Sequence, residues 1–411
     1  MNPLLHQLQP YPFERLRALF SSVTPSQTLR PISLVIGEPK HPTPEWLKEQ
    51  LLAGFSALAA YPPTAGDLRF RQACSDWLKR RYKLEVNAGT QILPVNGSRE
   101  ALFAITQTVV NPTGHLSAQV QSHSPKPYVV CPNPFYQIYE GAAFLAGAQP
   151  YYVASLEGKN FAMDWQSVPA DVWAQTQLLF VCSPGNPTGA VVPLSEWETL
   201  FDLSEKYGFV IASDECYSEI YFRPEAPIGS LEAAHALGRA DFRNLIAFTS
   251  LSKRSNMPGL RSGFVAGDSE IIKKFLLYRT YHGSAMSGMI QHASIAAWSD
   301  EVHVCENRLK YQRKFAAVTP VLQSVLEVQL PDAGFYLWAK VPGGHDEHFA
   351  RELLRQYNVT VLPGSYLARE VAGLNPGSGR IRMALVAETD ECLEAAHRIV
   401  EFTQQYVAPA S

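Results

Sequence analysis

The sequence predicts an α/β protein: a large domain built on a mostly parallel central sheet, joined to a smaller α+β domain. Three observations predict it. Short apolar runs alternate with longer helical patterns from about residue 90 to 290. Those runs are rich in Val, Ile, Leu and Phe with little alternation, as in strands buried on both faces. The last third changes character and mixes strand-like stretches with helices in another order. At 411 residues the chain also exceeds the size at which one core keeps growing. The expected division is 46–290 for the large domain, with 1–45 and 291–411 forming the small one.

Residues 1–45 are punctuated by prolines and are expected to pack onto the small domain. Candidate strands follow at 91–95, 128–131, 178–182, 209–212, 245–248 and 264–266. Helical patterns lie between them, such as 99–109 and 194–207. The polar stretch NPTGHLSAQVQSHSPKP, 111–127, reads as a surface loop. Toward the C-terminus, 334–342, 359–365 and 380–386 read as strands, and 346–357 and 390–406 as helices.

Bulk properties remove several classes of function. The formal net charge of -3 favours neither nucleic acid nor an anionic membrane. No apolar run approaches the ~18 residues of a membrane helix. MNPLLHQLQPYPFERLRALF carries prolines and charges where a secretory signal needs an apolar centre. The six cysteines include no CxxC pair, so a reducing cytoplasm is the expected compartment. His345 and His348 in GHDEH have the look of metal ligands. Asp346 and Glu347 read better as first-turn charges of a helix, and no metal is expected.

In open parallel sheets, ligands bind at the carboxyl ends of the strands. Here those ends carry Asn96-Gly97-Ser98-Arg99, then PNPFYQIY with Tyr136, then SPGNPTG with Asn186. Next come Asp214 and Tyr217, and finally SLSKRSNMPGLRSG with Ser250, Lys253 and Arg261. Singly, each has an ordinary reading. Gly-Ser opening a helix is a cap, Asn-Pro-Thr-Gly is a turn, and a lone lysine is a solvated charge. NPTG also occurs at 111–114, away from a strand end, so position gives the copy at 186–189 its weight. Glu215 is not a partner carboxylate for Asp214, because neighbours in extended chain face opposite ways.

Together, in this order, the residues meet the needs of pyridoxal 5′-phosphate. That cofactor takes a lysine for a Schiff base, a carboxylate at its ring nitrogen, donors at its ring oxygen, a stacking aromatic and a phosphate cup. A helix N-terminus suits the phosphate dianion, and an arginine adds a charge-assisted bond. A lysine can react because its pKa falls when it is buried.

The chain resembles the class I/II aminotransferases, the fold-type-I pyridoxal-phosphate enzymes, from VIGEP near residue 37 to RIRMALV near 383. The resemblance implies Lys253 as Schiff-base lysine and proton shuttle in a ping-pong cycle, and Asp214 as the pyridinium partner. It implies Asn186 and Tyr217 as donors to the ring hydroxyl, and Tyr136 as the stacking ring. Gly97, Ser98, Arg99, Ser250 and Arg261 match the phosphate contacts. Tyr61, in AYPPTAGDLR, matches a tyrosine that reaches the phosphate of the other subunit, which implies a homodimer with shared sites.

For the substrate, Gly37 in IGEP and Asn186 match contacts to the amino acid. An arginine near the C-terminus should grip its α-carboxylate. Arg380 and Arg382 both qualify, and Arg382-Met-Ala-Leu fits the family pattern better. The chain departs from many relatives at Arg254-Ser255-Asn256, where they carry a small residue, an aromatic and a glycine. Its wording is most similar to the succinyldiaminopimelate branch of lysine biosynthesis. That branch implies a dicarboxylic amino donor, with 2-oxoglutarate as acceptor. Arg279 is the candidate for the distal carboxylates, against the reading of a helix-end charge. The same cofactor residues would also serve an aspartate, aromatic or LL-diaminopimelate aminotransferase, or a C–S β-lyase. A cofactor-binding regulator would need a basic DNA-binding domain ahead of this fold.

Overall fold

The computed structural model describes residues 1–113 and 126–409. Residues 114–125 of the expected surface loop lie outside the described residues. Thirteen strands are described: β1 (Ile32–Ser33), β2 (Ile92–Val95), β3 (Tyr128–Asn133), β4 (Gln149–Leu156), β5 (Ala162–Met163), β6 (Thr176–Cys182), β7 (Val210–Asp214), β8 (Leu245–Ser250), β9 (Gly263–Gly267), β10 (Tyr336–Lys340), β11 (Val359–Thr360), β12 (Leu362–Pro363) and β13 (Arg380–Ala384).

Eight strands form the central sheet in the order β2-β9-β8-β7-β6-β3-β4-β5. Strands β4, β3, β6, β7 and β8 pair in parallel. Strand β9 runs antiparallel to both β8 and β2, so β2 points the same way as β8. The carboxyl ends of β2, β3, β6, β7 and β8 therefore share one edge. Successive residues feed opposite cores. Leu179, Val181, Ile211 and Leu245 join one cluster with Trp77 and Trp197. Leu178, Phe180, Ala212 and Ile246 join another with Leu102 and Ile105. Both faces are covered, which is why these strands read as continuous apolar runs.

The smaller unit holds a three-stranded sheet, β10-β13-β12, and a two-stranded parallel pair, β1-β11. Helices Val302–Gln323, Asp346–Tyr357 and Thr389–Gln405 surround it. Ile32 and Leu34 pack in its core, as do Tyr217 and Ile220, which follow β7. Helix Gly288–Ser299 runs across the expected break at 290, and its Ala297 and Trp298 pack in the larger core.

Several expected strands differ in length. β7 runs on to Asp214 and β8 to Ser250, so these polar residues are the last residues of buried strands. The expected strand 359–365 divides, because β11 pairs with β1 and β12 with β13. β4 was not expected as a strand. Among the described residues, no helix is long and apolar enough to cross a membrane.

Candidate active site

A cavity of about 600 Å³ opens at the shared carboxyl edge. Its lining includes Gly37, Ser98, Arg99, Tyr136, Asn186, Asp214, Tyr217, Ser250, Lys253, Arg261 and Arg382. Five strand ends and the smaller unit thus meet there.

One corner suits a phosphate. Gly97 has φ +84, and a Cβ there would lie 2.2 Å from Arg261 Nη2. Glycine lets the guanidinium lie directly on the turn. Helix Ser98–Val109 starts at that point, with its first N–H groups unpaired within the helix. Ser250 Oγ accepts from Ser252 N at 3.1 Å and lies 3.0 Å from the Ser262 carbonyl. Arg261 Nη1 donates to the Pro258 carbonyl at 2.9 Å.

Asp214 is buried beneath the cavity. It accepts from Tyr139 OH at 2.9 Å and from Cys216 N at 3.4 Å. It makes no ion pair with any described residue, and burial raises its carboxyl pKa. The Tyr136 hydroxyl accepts from Arg99 Nε at 2.5 Å. Tyr217 and Tyr336 join their hydroxyls at 3.1 Å.

Lys253 Nζ donates to the Gly37 carbonyl at 2.6 Å. Burial pushes its pKa down to about 8; Cys216 and Glu38 oppose that, while Arg382 and Arg99 reinforce it. Its own carbonyl accepts from Asn307 Nδ2 at 3.2 Å. Asn307 Oδ1 in turn accepts from Asn256 Nδ2 at 2.9 Å and faces His41 Nδ1 at 3.0 Å. Arg254 is buried against Trp298 and pairs with Glu301 at 2.7 Å, and Ser255 meets His303 Nε2 at 2.8 Å. The Arg-Ser-Asn departure therefore builds a polar support behind the lysine.

Arg382 Nη1 donates to Asn186 Oδ1 at 3.0 Å and Nη2 to the Val35 carbonyl at 2.9 Å. Its buried Nε has no partner among the described residues. Arg380 faces elsewhere, pairing with Glu157 at 2.6 Å beside the Phe161 ring. Of the two arginines, Arg382 lines the cavity.

Two expected residues stand apart. Tyr61 is fully exposed. Arg279 is fully buried, pairs with Glu100 at 2.7 Å and donates to the Ser284 carbonyl at 2.9 Å. It has no free face for a substrate and does not line the cavity. Since Glu100 also accepts from Asn96 N at 2.7 Å, the pair braces the turn before Gly97. Sequence reasoning missed Tyr139, Cys216, Tyr336, Glu38 and Tyr11. Tyr139 had a signal, since it stands three residues after Tyr136 in the same PNPFYQIY stretch.

The model of the family "Aminotransferase class I and II" matches residues 30–399. The chain belongs to the class I and II aminotransferases. An LL-diaminopimelate aminotransferase of Aquifex aeolicus is 33% identical over 90% of this chain and 90% of its own. A crystal structure of an aminotransferase from Neisseria meningitidis has a TM-score of 0.93 and 54% identity, covering 98% of this chain and all of that one. A probable N-succinyldiaminopimelate aminotransferase from Thermus thermophilus has a TM-score of 0.80 and 25% identity over 95% of this chain and 99% of that one.

This aminotransferase depends on pyridoxal 5′-phosphate, and its residues fit that group on three counts. Asp214 is a buried carboxylate with no ion pair among the described residues. The Gly97–Arg261 corner presents unpaired N–H groups and a guanidinium without an adjacent carboxylate. Lys253 is held as a readily deprotonated amine.

Proposed function

We propose that this aminotransferase moves the α-amino group of N-succinyl-LL-2,6-diaminopimelate to 2-oxoglutarate. The charge at the cavity mouth carries the reading. Four cations line the cavity: Arg99, Lys253, Arg261 and Arg382. In this reading Lys253 would hold the cofactor aldehyde, Arg261 its phosphate and Arg382 the substrate α-carboxylate. Arg99 then remains, held by the Tyr136 hydroxyl beside Tyr11. The far end of the succinylated substrate bears two carboxylates and no free amine. The far end of LL-diaminopimelate is a zwitterion and gains less from an unpaired cation. The names of the Aquifex and Thermus proteins support a diaminopimelate-type donor.

When bound, the cofactor supplies an electron sink for the charge left at the substrate α-carbon. The side chains do the rest. Arg382 and Asn186 orient the α-carboxylate, with the Gly37 backbone alongside. Neutral Lys253 Nζ takes the α-proton as base and returns it as acid. With the cofactor bound, Asp214 would hold positive charge on the ring nitrogen, Tyr217 and Asn186 would donate to the ring oxygen, and Tyr136 would pack on the ring. Gly97, Ser98, Arg99, Ser250 and Arg261 would receive the phosphate, Arg99 through its backbone.

The deciding measurement is kcat/KM for N-succinyl-LL-2,6-diaminopimelate against LL-diaminopimelate. The succinylated donor is expected to win. Arg99→Ala should cut that preference about 10-fold, the worth of one charge-assisted bond. A preference for LL-diaminopimelate, unchanged in the variant, would move the assignment to the free diamine. A second comparison separates the two arginines. Arg382→Ala should raise KM for donor and acceptor by about 10–100-fold, while Arg380→Ala should leave both KM values near wild type.

We infer that the enzyme is a homodimer in the cytoplasm. All six cysteines are free, which suits a reducing compartment. Leu52, Phe55, Leu58, Tyr61 and Leu68 are all exposed, an apolar patch within one short stretch. A second copy would cover it and bring Tyr61 to the partner's phosphate corner. Sedimentation should give a dimer. Phe55→Asp with Leu58→Asp should give a monomer that loses cofactor on dialysis.

A further inference from the structure

A second cavity, of about 310 Å³, opens beside Gly185, Asn186 and Thr188. Its size is at the lower end for small-molecule sites. Phe161, Met163, Trp165, Val181, Val191 and Pro193 supply apolar walls. The cavity shares Asn186 with the active site.

Its walls span both units. Asn160 Nδ2 donates to Asp332 Oδ2 at 2.9 Å, and the Val191 N–H donates to the same oxygen at 3.2 Å. Two consecutive residues at the rim, Asn160 and Phe161, have φ of +49 and +57. A left-handed phenylalanine costs on the order of 1–3 kcal/mol, a strain that persists only where its surroundings impose it, often at ligand clamps. Here it sets the Phe161 side chain into the cavity wall.

The charges say what would bind. The two lining carboxylates are already engaged. Glu196 accepts from Trp165 Nε1 at 2.6 Å, and burial raises its pKa. Asp332 holds Asn160 and the Val191 N–H. The two lining cations are less so. Lys159 makes no ion pair with any described residue, and Arg223 reaches only Asp332, at 4.0 Å. Both are exposed at the mouth. The unmet charge is positive and the interior is apolar and aromatic.

We propose that this cavity is a second small-molecule site, for a compact aromatic or branched apolar body carrying one carboxylate. The body fills the space between Phe161, Met163 and Trp165. The carboxylate meets Lys159 and Arg223. The inference stands apart from the substrate reading above, because of the residues lining this cavity only Asn186 takes part in that reading.

Indole-3-propionate is the probe, titrated by calorimetry into the cofactor-loaded enzyme. Because it could also enter the active site through Arg382, the variants separate the two places. Lys159→Ala with Arg223→Ala, both at exposed positions, should weaken the probe by about 10-fold. Ala162→Phe, which fills the cavity, should abolish binding, and Arg382→Ala should leave it intact. Tryptamine, with the same ring and the opposite charge, should bind far more weakly. Binding that is lost in Arg382→Ala and kept in the other variants would overturn the proposal, as would tryptamine binding equally well or the probe failing to bind at millimolar concentration.

Discussion

Lys253→Ala is expected to remain folded, bind pyridoxal phosphate without a covalent bond, and lose transamination by about 10⁴-fold or more. The side chain ends in a preformed space, with Nζ against the Gly37 carbonyl, so truncation removes no packed core. Borohydride reduction followed by peptide mapping should fix the cofactor on Lys253 in the parent enzyme and nowhere in the variant. Full multiple-turnover activity in the variant would end the assignment. A pH dependence accompanies it. The amine reacts only when neutral, and its pKa is pushed down to about 8. Cofactor uptake by the apoenzyme should therefore speed up as pH rises toward about 8 and level off above it, well below the ~10.4 of an ordinary lysine.

The residues legible in the sequence share a physical reason. β6, β7 and β8 are buried on both faces, so their apolar runs stand out, and a polar residue at their ends stands out against them. Lys253, Asp214, Asn186 and Ser250 are visible in that way. β4, QPYYVASL, is hidden because most of its side chains are only half-buried and tyrosines replace the aliphatic signal. The N-terminal wall around Tyr11, and Tyr336 on β10, reach the cavity from segments far away in the chain. No local pattern reports that approach. Arg279 illustrates the same limit. Its partner Glu100 lies 179 residues away, so the helix-end position suggests a free charge where the fold has an ion pair. Arg254-Ser255-Asn256 reads as a departure until Glu301, His303 and Asn307 are seen facing it from another helix. The two neighbouring arginines of β13 share a face by register, yet they end in different places. Arg382 sits opposite Trp338 and Leu362 in its sheet, while Arg380 lies at the end that meets Glu157.

Asp214→Asn should cost about 10²–10³-fold in kcat/KM, the usual scale for removing one preorganised electrostatic partner. Its effect on stability should run in opposite directions with and without cofactor. Asp214 is buried and makes no ion pair with any described residue, and desolvation raises its pKa above the unfolded value of 3.8, with the Lys253 charge opposing that rise. A carboxyl shifted that way loses protons in the unfolded state first. Folding stability of the apoenzyme therefore falls as pH climbs from the unfolded value through the folded one. Asparagine keeps the shape and can still accept from Tyr139, but carries no charge to desolvate. The apo variant should melt at or above the temperature of the apo parent at alkaline pH, and the gap should close in acid. With cofactor bound the order should invert, because Asp214 then has a cation to pair with and the burial that was a cost strengthens the attraction. Thermal melts of both forms at two pH values read this directly. A variant less stable than the parent in the apo state, by the same margin as in the holo state, would show that Asp214 serves the fold through its hydrogen bonds and not the ring nitrogen through its charge.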